Sequence, residues 1–281
     1  MYKTLILRLK SQIKRNKKGK IALFTILLFI IISIFAPLSP YDPNKIDIVN
    51  RLKSPNLSNI FGTDLMGRDY FTRILYGGRI SLSIGVLSMV ISTTIGTVLG
   101  AISGYMEGKV DIIIMRIVDI LMSIPSFFII LVLNAYLKPG MKTIVLVIGF
   151  LGWMGISRLV RAETLKIKNS EHVLYARSLG ISSGKIILRH IIPSALPTII
   201  VASTLGIANA ILTESSLSFL GMGVQAPEAS WGSMLSNAQG YIEDAPYLGV
   251  FPGAFILITV LCFNILGDTI GQTLGSRGDR N

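Results

Sequence analysis

The residue best placed to do chemistry is a glutamate inside an apolar stretch of the chain. Glu214 lies close in sequence to Asn209 and Ser216, which brings a carboxyl group, an amide and a hydroxyl together. A carboxylate that faces acyl chains is costly, so such groups normally face the interior of a helix bundle or water. We therefore expect these residues either to line the outer mouth of a pathway or to hold the loop that follows.

Patterns for catalysis, nucleotide binding and metal binding are missing from the sequence. An intramembrane hydrolase needs a buried nucleophile with its base, but the two histidines, His172 and His190, lie outside the apolar stretches. The segment Gly104–Val110 lacks the spacing of a phosphate-binding loop and the hydroxyl residue after its lysine. A single cysteine, Cys262, can form neither an intrachain disulfide nor a thiolate cluster. We expect no catalytic site, no metal and no cofactor bound by this chain.

The composition is typical of a membrane protein. Of the 281 residues, 51% are hydrophobic and 15% are charged, whereas about a quarter of the residues of a soluble domain are charged. Six apolar stretches can be marked: Ile21–Leu38, Ser81–Gly104, Ile112–Leu133, Thr143–Val160, Ala195–Ser216 and Leu248–Ile270. Each is close to the length that crosses about 30 Å of hydrocarbon. The sequence predicts an all-α membrane protein with six transmembrane helices.

The distribution of basic residues predicts which side each loop occupies. They precede the first stretch and fill the loop after the fourth: Lys3, Arg8, Lys10, Lys14, Arg15, Lys17, Lys18, Lys20, Arg158, Arg161, Lys166, Lys168, Arg177, Lys185 and Arg189. Basic loops are retained in the cytoplasm, so both termini are expected there, in an inner or plasma membrane. The external side would carry Leu217–Tyr247 and Ser39–Ile80, although the second segment is unusually basic. Since the charges flank apolar stretches, lipid and not nucleic acid is the expected partner.

Two patterns predict contacts between helices. Small residues recur at every fourth position of the second stretch, at Ser88, Ser92, Gly96, Gly100 and Gly104. Such a face lets another helix approach closely. In the third stretch, Arg116 and Asp119 are three positions apart, so they are expected to form a structural ion pair on one helix face.

Two short helices are predicted in the basic loop after the fourth stretch. Either residue of Asn169–Ser170 can cap the first helix, which would end at Gly180, where a left-handed turn costs glycine little. Either residue of Ser182–Ser183 can cap the second helix, which would end at Pro193. Helices this short are marginal alone. They should rest on anionic headgroups or insert into a cytoplasmic partner.

This loop resembles the EAA loop of binding-protein-dependent ABC permeases. That pattern reads E-A-A, three residues, G, nine residues, I-x-L-P, and the chain keeps Ala176, Gly180 and Pro193 of it. By this resemblance, the residues expected to couple to an ATPase are Glu171, Leu174, Ala176, Arg177, Gly180, Ile187 and Pro193. Three further segments stand in the order and spacing of C-type permeases of dipeptide, oligopeptide and nickel importers: Gly62–Asp69, Glu214–Gly221 and Trp231–Gly232.

The resemblance implies a type I ABC importer permease fold with cytoplasmic coupling helices between spans four and five. It also implies three parts of the chain: an N-terminal region, 1–80, with the first span and an external segment; a permease domain, 81–271; and a short cytoplasmic tail, 272–281. The expected partners are a homologous B-type permease, two cytoplasmic ATPases that bind ATP and Mg, and an extracytoplasmic substrate-binding protein.

The expected function is import of small peptides, with nickel or a metal chelate as the other substrate that the resemblance allows. The alternative is a self-contained secondary transporter or channel. Such a protein would need an ion-coupling site or pore of its own, and the apolar stretches hold no dense set of acids for it.

Overall fold

Helices make up the regular structure of the part of the chain that is described. The computed structural model describes residues 16–137 and 140–275, where the β-type pairing is one isolated bridge between Thr63 and Asp69. Part of the basic amino-terminal tail (Lys3, Arg8, Lys10, Lys14 and Arg15) and positions 276–281 of the predicted carboxy-terminal tail lie outside the described residues. The all-α class is confirmed for residues 16–137 and 140–275.

The helices follow one another along the chain, with a long connection, 35–69, between the first two. They are α1 (Lys17–Ile34), α2 (Tyr70–Met106), α3 (Gly108–Met122), α4 (Ser126–Tyr136), α5 (Met141–Ile167), α6 (Glu171–Ser178), α7 (Ser183–Ile186), α8 (Ile192–Phe219), α9 (Trp231–Ala238) and α10 (Tyr247–Gly275). A π-helical turn, Ile187–Ile191, joins α7 to α8. Below, the two ends of the bundle are called the α6 end and the α9 end.

Four stretches of helix in the described part are long and apolar enough to cross a membrane: α2, α5, the continuous run Ser183–Phe219, and α10. Helices α3 and α4 add a fifth span if they are counted together, although they are bent by 76°. The predicted third span is thus broken near Pro125, which precedes α4. Helix α1 is not among the four, because three lysines lie within its 18 residues. The six-span count stays a prediction.

The small-residue face of α2 lies against α5. Ser88 Oγ donates to the carbonyl of Val145 at 3.2 Å, and Ser92 Oγ donates to that of Gly149 at 2.8 Å. Further along, a Cβ atom on Gly100 would lie 2.4 Å from the carbonyl oxygen of Ser157. The two backbones therefore approach closely along the whole stripe, in the most extensive helix contact of the described residues.

We expect Gly96→Leu to force α2 away from α5. A Cβ atom there would lie 2.7 Å from both the carbonyl oxygen of Trp153 and the Cβ of Ile156, and overpacking costs about 1–3 kcal/mol or more. The thermal midpoint and the monodisperse yield of the purified chain should both fall. Gly253→Leu is the matched control, since open space surrounds that helical glycine. A wild-type midpoint for Gly96→Leu would contradict the prediction.

A hydrogen-bonded turn fixes the start of α2. Asp69 Oδ2 accepts from the N–H of Thr72 at 2.8 Å, which caps the helix. The Asp64 carboxylate lies 2.7 Å from Arg68 Nε and 3.5 Å from Arg73 Nε. These bonds hold the preceding segment against the first turn of α2.

The predicted end of a helix at Pro193 is wrong. Helix α7 continues through the π turn into α8, and Pro193 is the second residue of α8. A proline has no N–H to donate and crowds the carbonyl four residues back. The wider turn before it, in which the N–H of Ile192 bonds to the carbonyl of Ile187, relieves that crowding and lets the helix continue.

The expected pair of Arg116 with Asp119 is also wrong. Asp119 Oδ1 lies 2.5 Å from Nη2 of Arg158 on α5, while the Arg116 side chain is exposed. Spacing along one helix could not reveal that a neighbouring helix offers a guanidinium to the same carboxylate. Arg161 of α5 also binds Asp111 of α3 through Nε and Nη2, at 2.5 and 2.6 Å.

A third ion pair, between Lys168 and Glu107, lies just beyond the ends of these helices. Val118 is the single buried residue of α3. Helix α3 is thus held beside α5 by these charge pairs and by the apolar cluster that Val118 forms with Trp153 and Met154.

Candidate functional site

A groove runs along one face of α8. Its volume is about 1120 Å³, and its other walls come from α2, α3, α4 and α5, with Gly271 of α10. The lining residues of α8 recur three or four positions apart, as one helix face requires: Ser194, Pro197, Thr198, Val201, Ala202, Leu205, Gly206, Asn209, Ala210 and Thr213. In the most apolar part of the run Ser183–Phe219, only 22% of the helix is buried inside the chain. Helix α8 thus presents a long face to something other than its own bundle.

The wall of the groove is apolar with scattered neutral polar groups. Thr198, Asn209 and Thr213 provide hydroxyl and amide groups along its length. Among the described lining residues, Glu163 and Lys166 are the charged ones, and both lie near the α6 end. Such a wall can offer hydrogen bonds to a polar molecule without holding it by a strong fixed charge.

Glu214 lies on α8 but away from the groove. Its side chain is 0% exposed. Oε1 accepts from Ser218 Oγ at 2.7 Å and from Ser230 Oγ at 2.6 Å, and Oε2 lies 3.5 Å from Ser81 Oγ. Three serines from α2, α8 and the loop before α9 therefore surround one carboxyl group.

The loop before α9 is fixed by the same cluster. The backbone N–H of Trp231 donates to Ser81 Oγ at 3.1 Å, and its indole Nε1 donates to the carbonyl of Ile74 at 2.9 Å. Ser230 and Ser233 cap α9 reciprocally. Because every bond is buried or partly buried, Glu214 and Trp231 together seat α9 on the bundle.

At the opposite end of the bundle, Gly180 ends helix α6. Its φ is +71°, the left-handed conformation expected there. The Gly180 N–H bonds to the carbonyl of Arg177 at 3.0 Å, and the N–H of Ile181 bonds to that of Ala176 at 3.3 Å. This pair of bonds is a Schellman motif, which satisfies carbonyls at a helix end.

Helix α6 has a buried and an exposed apolar face. Val173 and Ala176 are buried in a cluster with residues of α7 and the π turn. Tyr175 and Leu179 are 66% and 61% exposed. Open space also surrounds Gly180. The turn between α6 and α7 is therefore an apolar projection with nothing from the described residues covering it.

Two segments of the chain match known families. Residues 96–278, more than half of the chain, match the binding-protein-dependent transport system inner membrane component. The chain belongs to this family. Residues 8–55 match the N-terminal transmembrane domain of oligopeptide transport permease C, so the resemblance to C-type permeases is confirmed. The protein is a membrane permease component of an ABC transporter and is not itself catalytic.

Several relatives match this permease over nearly its whole length. The oligopeptide transport system permease protein OppC of Bacillus subtilis is 40% identical, covering 98% of this chain and 89% of that protein. The dipeptide transport system permease protein DppC of Alkalihalophilus pseudofirmus is 40% identical, covering 94% and 87%. The glutathione transport system permease protein GsiD of Escherichia coli O6:K15:H31 is 42% identical, covering 90% and 84%.

Solved ABC transporters share the fold of this permease. The MetNI methionine ABC transporter in inward-facing conformations aligns with a TM-score of 0.61 at 18% identity, covering 73% of this chain and 97% of that chain. An amino acid ABC transporter aligns with a TM-score of 0.55 at 15% identity, covering 72% and 94%. At these identities the likeness is one of fold.

The structure separates the permease residues that were expected to act at the outer mouth. Asn209 lines the groove, whereas Glu214 is buried among serines. Ser216 is exposed, and its Oγ donates to the carbonyl of Leu212 at 2.8 Å. Ser81 and Ser230 were missed, because nothing in their local sequence indicates a partner so far along the chain.

The residues expected to couple to an ATPase differ in how exposed they are. Glu171, Leu174, Arg177 and Gly180 are exposed, Pro193 is partly buried, and Ala176 and Ile187 are buried. Ala176 packs inside the chain beside Val173, so its contact with a partner stays a prediction. The exposed Tyr175 and Leu179 were missed. Tyr175 falls off the face that Val173 and Ala176 share, and Leu179 follows the last residue of the helix, which were the signals available in the sequence.

Proposed function

We propose that this permease forms, with a homologous B-type permease, the translocation pathway of an ATP-driven importer of small peptides. The observation that carries the proposal is the groove along α8, which is open, long and lined mainly by uncharged groups. A second permease that covers this open side would turn the groove into a pathway between the two chains. The family membership supports a pathway shared between subunits over a self-contained transporter or channel.

The turn that joins α6 to α7 is proposed to contact one of two cytoplasmic ATPases, which bind ATP and Mg. Its exposed apolar residues, Tyr175 and Leu179, suit insertion into a protein cleft.

The α6 end and both termini are then cytoplasmic, α9 and segment 39–69 are external, and α1 is the first of six spans. The proposed division into 1–80, 81–271 and 272–281 places its first boundary within α2 and its second within α10. A substrate-binding protein is proposed to deliver the peptide at the α9 end.

Small peptides are favoured over nickel or a metal chelate as the substrate. The relatives at about 40% identity are named for oligopeptide, dipeptide and glutathione transport. The neutral polar wall of the groove suits a peptide, whose own amides can exchange hydrogen bonds with Thr198, Asn209 and Thr213.

Reconstitution into liposomes tests the proposal. The chain with its partner permease, both ATPases and the binding protein should take up labelled trialanine only when ATP is supplied to the ATPase side. Uptake should be lost without the ATPases or the binding protein. Uptake by the chain alone, driven by an ion gradient, would replace the proposal with a secondary transporter. Uptake of nickel and not of peptides would reassign the substrate.

A further inference from the structure

A second cavity lies at the α9 end of the bundle, apart from the groove. It has a volume of about 340 Å³ and lies between the first turns of α2, the start of α5 and the loop before α9. Its polar lining residues are Asn44, Arg73, Tyr76, Arg79, Ser83 and Glu228. Pockets for small ligands measure about 300–1,000 Å³, so this cavity can hold part of a short peptide.

Arg73 forms the buried wall of this cavity. It is 4% exposed, and Nη1 donates to the carbonyl of Pro43 at 2.9 Å. Its ion-pair partner Asp64 lies 3.5 Å away and also binds Arg68, at the shorter distance of 2.7 Å. One carboxylate thus serves two guanidinium groups, and positive charge remains beside the cavity.

Arg79 adds a second cation at the rim. Its guanidinium lies 5.7 Å from the centre of the Tyr76 ring, a distance at which a cation is attracted to an aromatic face. The side chain is exposed, and no carboxylate of the described residues lies within 4.0 Å of it. Glu228 is the acid in the lining. The cavity and its surroundings thus hold the guanidinium groups of Arg68, Arg73 and Arg79. They hold two carboxylates, those of Asp64 and Glu228.

The cavity lies in line with the groove on the same pair of helices. Along α2, Ile80 lines the cavity and Ser88 lines the groove, about 12 Å further on at 1.5 Å per residue. Along α5, Met141 lines the cavity and Ile148 lines the groove.

The layer between cavity and groove is apolar. Ile84 on α2 and Ile144 on α5 occupy the intervening turns, and both are 0% exposed in one hydrophobic cluster. In this conformation, therefore, a closed apolar layer separates a cationic cavity at the α9 end from a neutral groove.

We propose that this cavity is a carboxylate-binding site in which Arg79, with Arg73 behind it, receives the terminal carboxylate of a peptide. The inference rests on the proposed function. A guanidinium binds a carboxylate with charge-assisted hydrogen bonds, and the tyrosine ring orients Arg79 for them. The cavity volume exceeds the needs of one acidic side chain from a docking protein and suits a small molecule. Arg79 is then the residue that selects the free carboxylate end.

Binding to the full chain in lipid nanodiscs tests the inference without the other subunits. The probes are N-acetyl-trialanine, whose one charge is its carboxylate, and its uncharged C-terminal amide, each followed by saturation-transfer NMR. The acid should bind the wild type at least about tenfold more tightly than the amide. Arg79→Gln should remove that difference, and Arg79→Lys should keep most of it. Arg51→Gln removes an exposed cation outside the cavity and should change nothing.

Equal binding of acid and amide to the wild type, or a preference that survives Arg79→Gln, would overturn the assignment. So would weaker docking of the binding protein to Arg79→Gln in the absence of peptide, because the carboxylate would then come from that protein. Uptake of trialanine by the reconstituted importer reports separately on the proposed function. If uptake fails while the carboxylate preference holds, the proposed function is wrong and the site remains.

Discussion

Replacing Gly180 with valine is expected to abolish ATP-driven transport while the chain still inserts and pairs with its partner permease. Gly180 has a φ of +71° and closes the Schellman motif of α6. A β-branched residue in that conformation is strained by about 1–3 kcal/mol. The strain is relieved by a different end to α6, which moves Tyr175 and Leu179 out of position for the ATPase. Since 1.4 kcal/mol corresponds to tenfold, ATPase co-purification and stimulated hydrolysis should each fall by about five- to 150-fold.

Two controls separate backbone shape from bulk at this turn. Asparagine tolerates a positive φ, so Gly180→Asn should keep most of the activity. Gly184 also has open surroundings and lies within α7 with an ordinary φ, so Gly184→Val should be the milder change. Co-purification and trialanine uptake are measured in the same preparation. Wild-type values for Gly180→Val would remove this turn from the coupling mechanism.

Replacing Glu214 with leucine is expected to release α9 from the bundle. The substitution removes the acceptor for Ser218 and Ser230 and the partner of Ser81, and each buried hydroxyl left unsatisfied costs about 1–3 kcal/mol. Hydrogen exchange in Trp231–Ala238 should rise by at least about tenfold. Peptide uptake should also fall, because the loop that carries Ser230 borders the second cavity, at the α9 end.

Glutamine is the matched control at this position. In Glu214→Gln, the amide oxygen can accept from Ser218 and Ser230, and the amide nitrogen can donate to Ser81. This variant should keep slow exchange in α9 and most of the uptake. If Glu214→Leu retains wild-type protection of α9, the serine cluster does not hold that helix.

Features that depend on neighbours in sequence were predictable. The spacing of four along α2 is a property of one helix, so the stripe from Ser88 to Gly104 could be recognised without knowing that α5 would cover it. The turn at Gly180 was accessible for the same reason, because a helix cap is built from adjacent residues. The predicted fifth stretch, Ala195–Ser216, likewise falls within α8.

Features that depend on distant partners were not predictable. Glu214 accepts a hydrogen bond from Ser81, 133 positions earlier, and Asp119 forms an ion pair with Arg158, 39 positions later. No periodicity links such residues. The helix end predicted at Pro193 was wrong for another reason. A proline often marks a helix boundary, but here a π turn precedes it and lets the helix continue, and a π turn has no simple sequence signal. Pro125 indicates that the third stretch can kink, but its sequence does not predict an angle as large as 76° between α3 and α4.

The continuous helical run Ser183–Phe219 gives the molecule a mechanical property. Its 37 residues extend for about 55 Å at 1.5 Å per residue. The α6–α7 turn lies at one end of this rod and Glu214 near the other, so a tilt imposed at one end must displace the opposite end unless the rod bends. Pro197 lies inside α8, and a bend there would reduce the movement that reaches the opposite end. The stiffness of this helical run therefore determines how much of a movement at the α6–α7 turn reaches the region of Glu214.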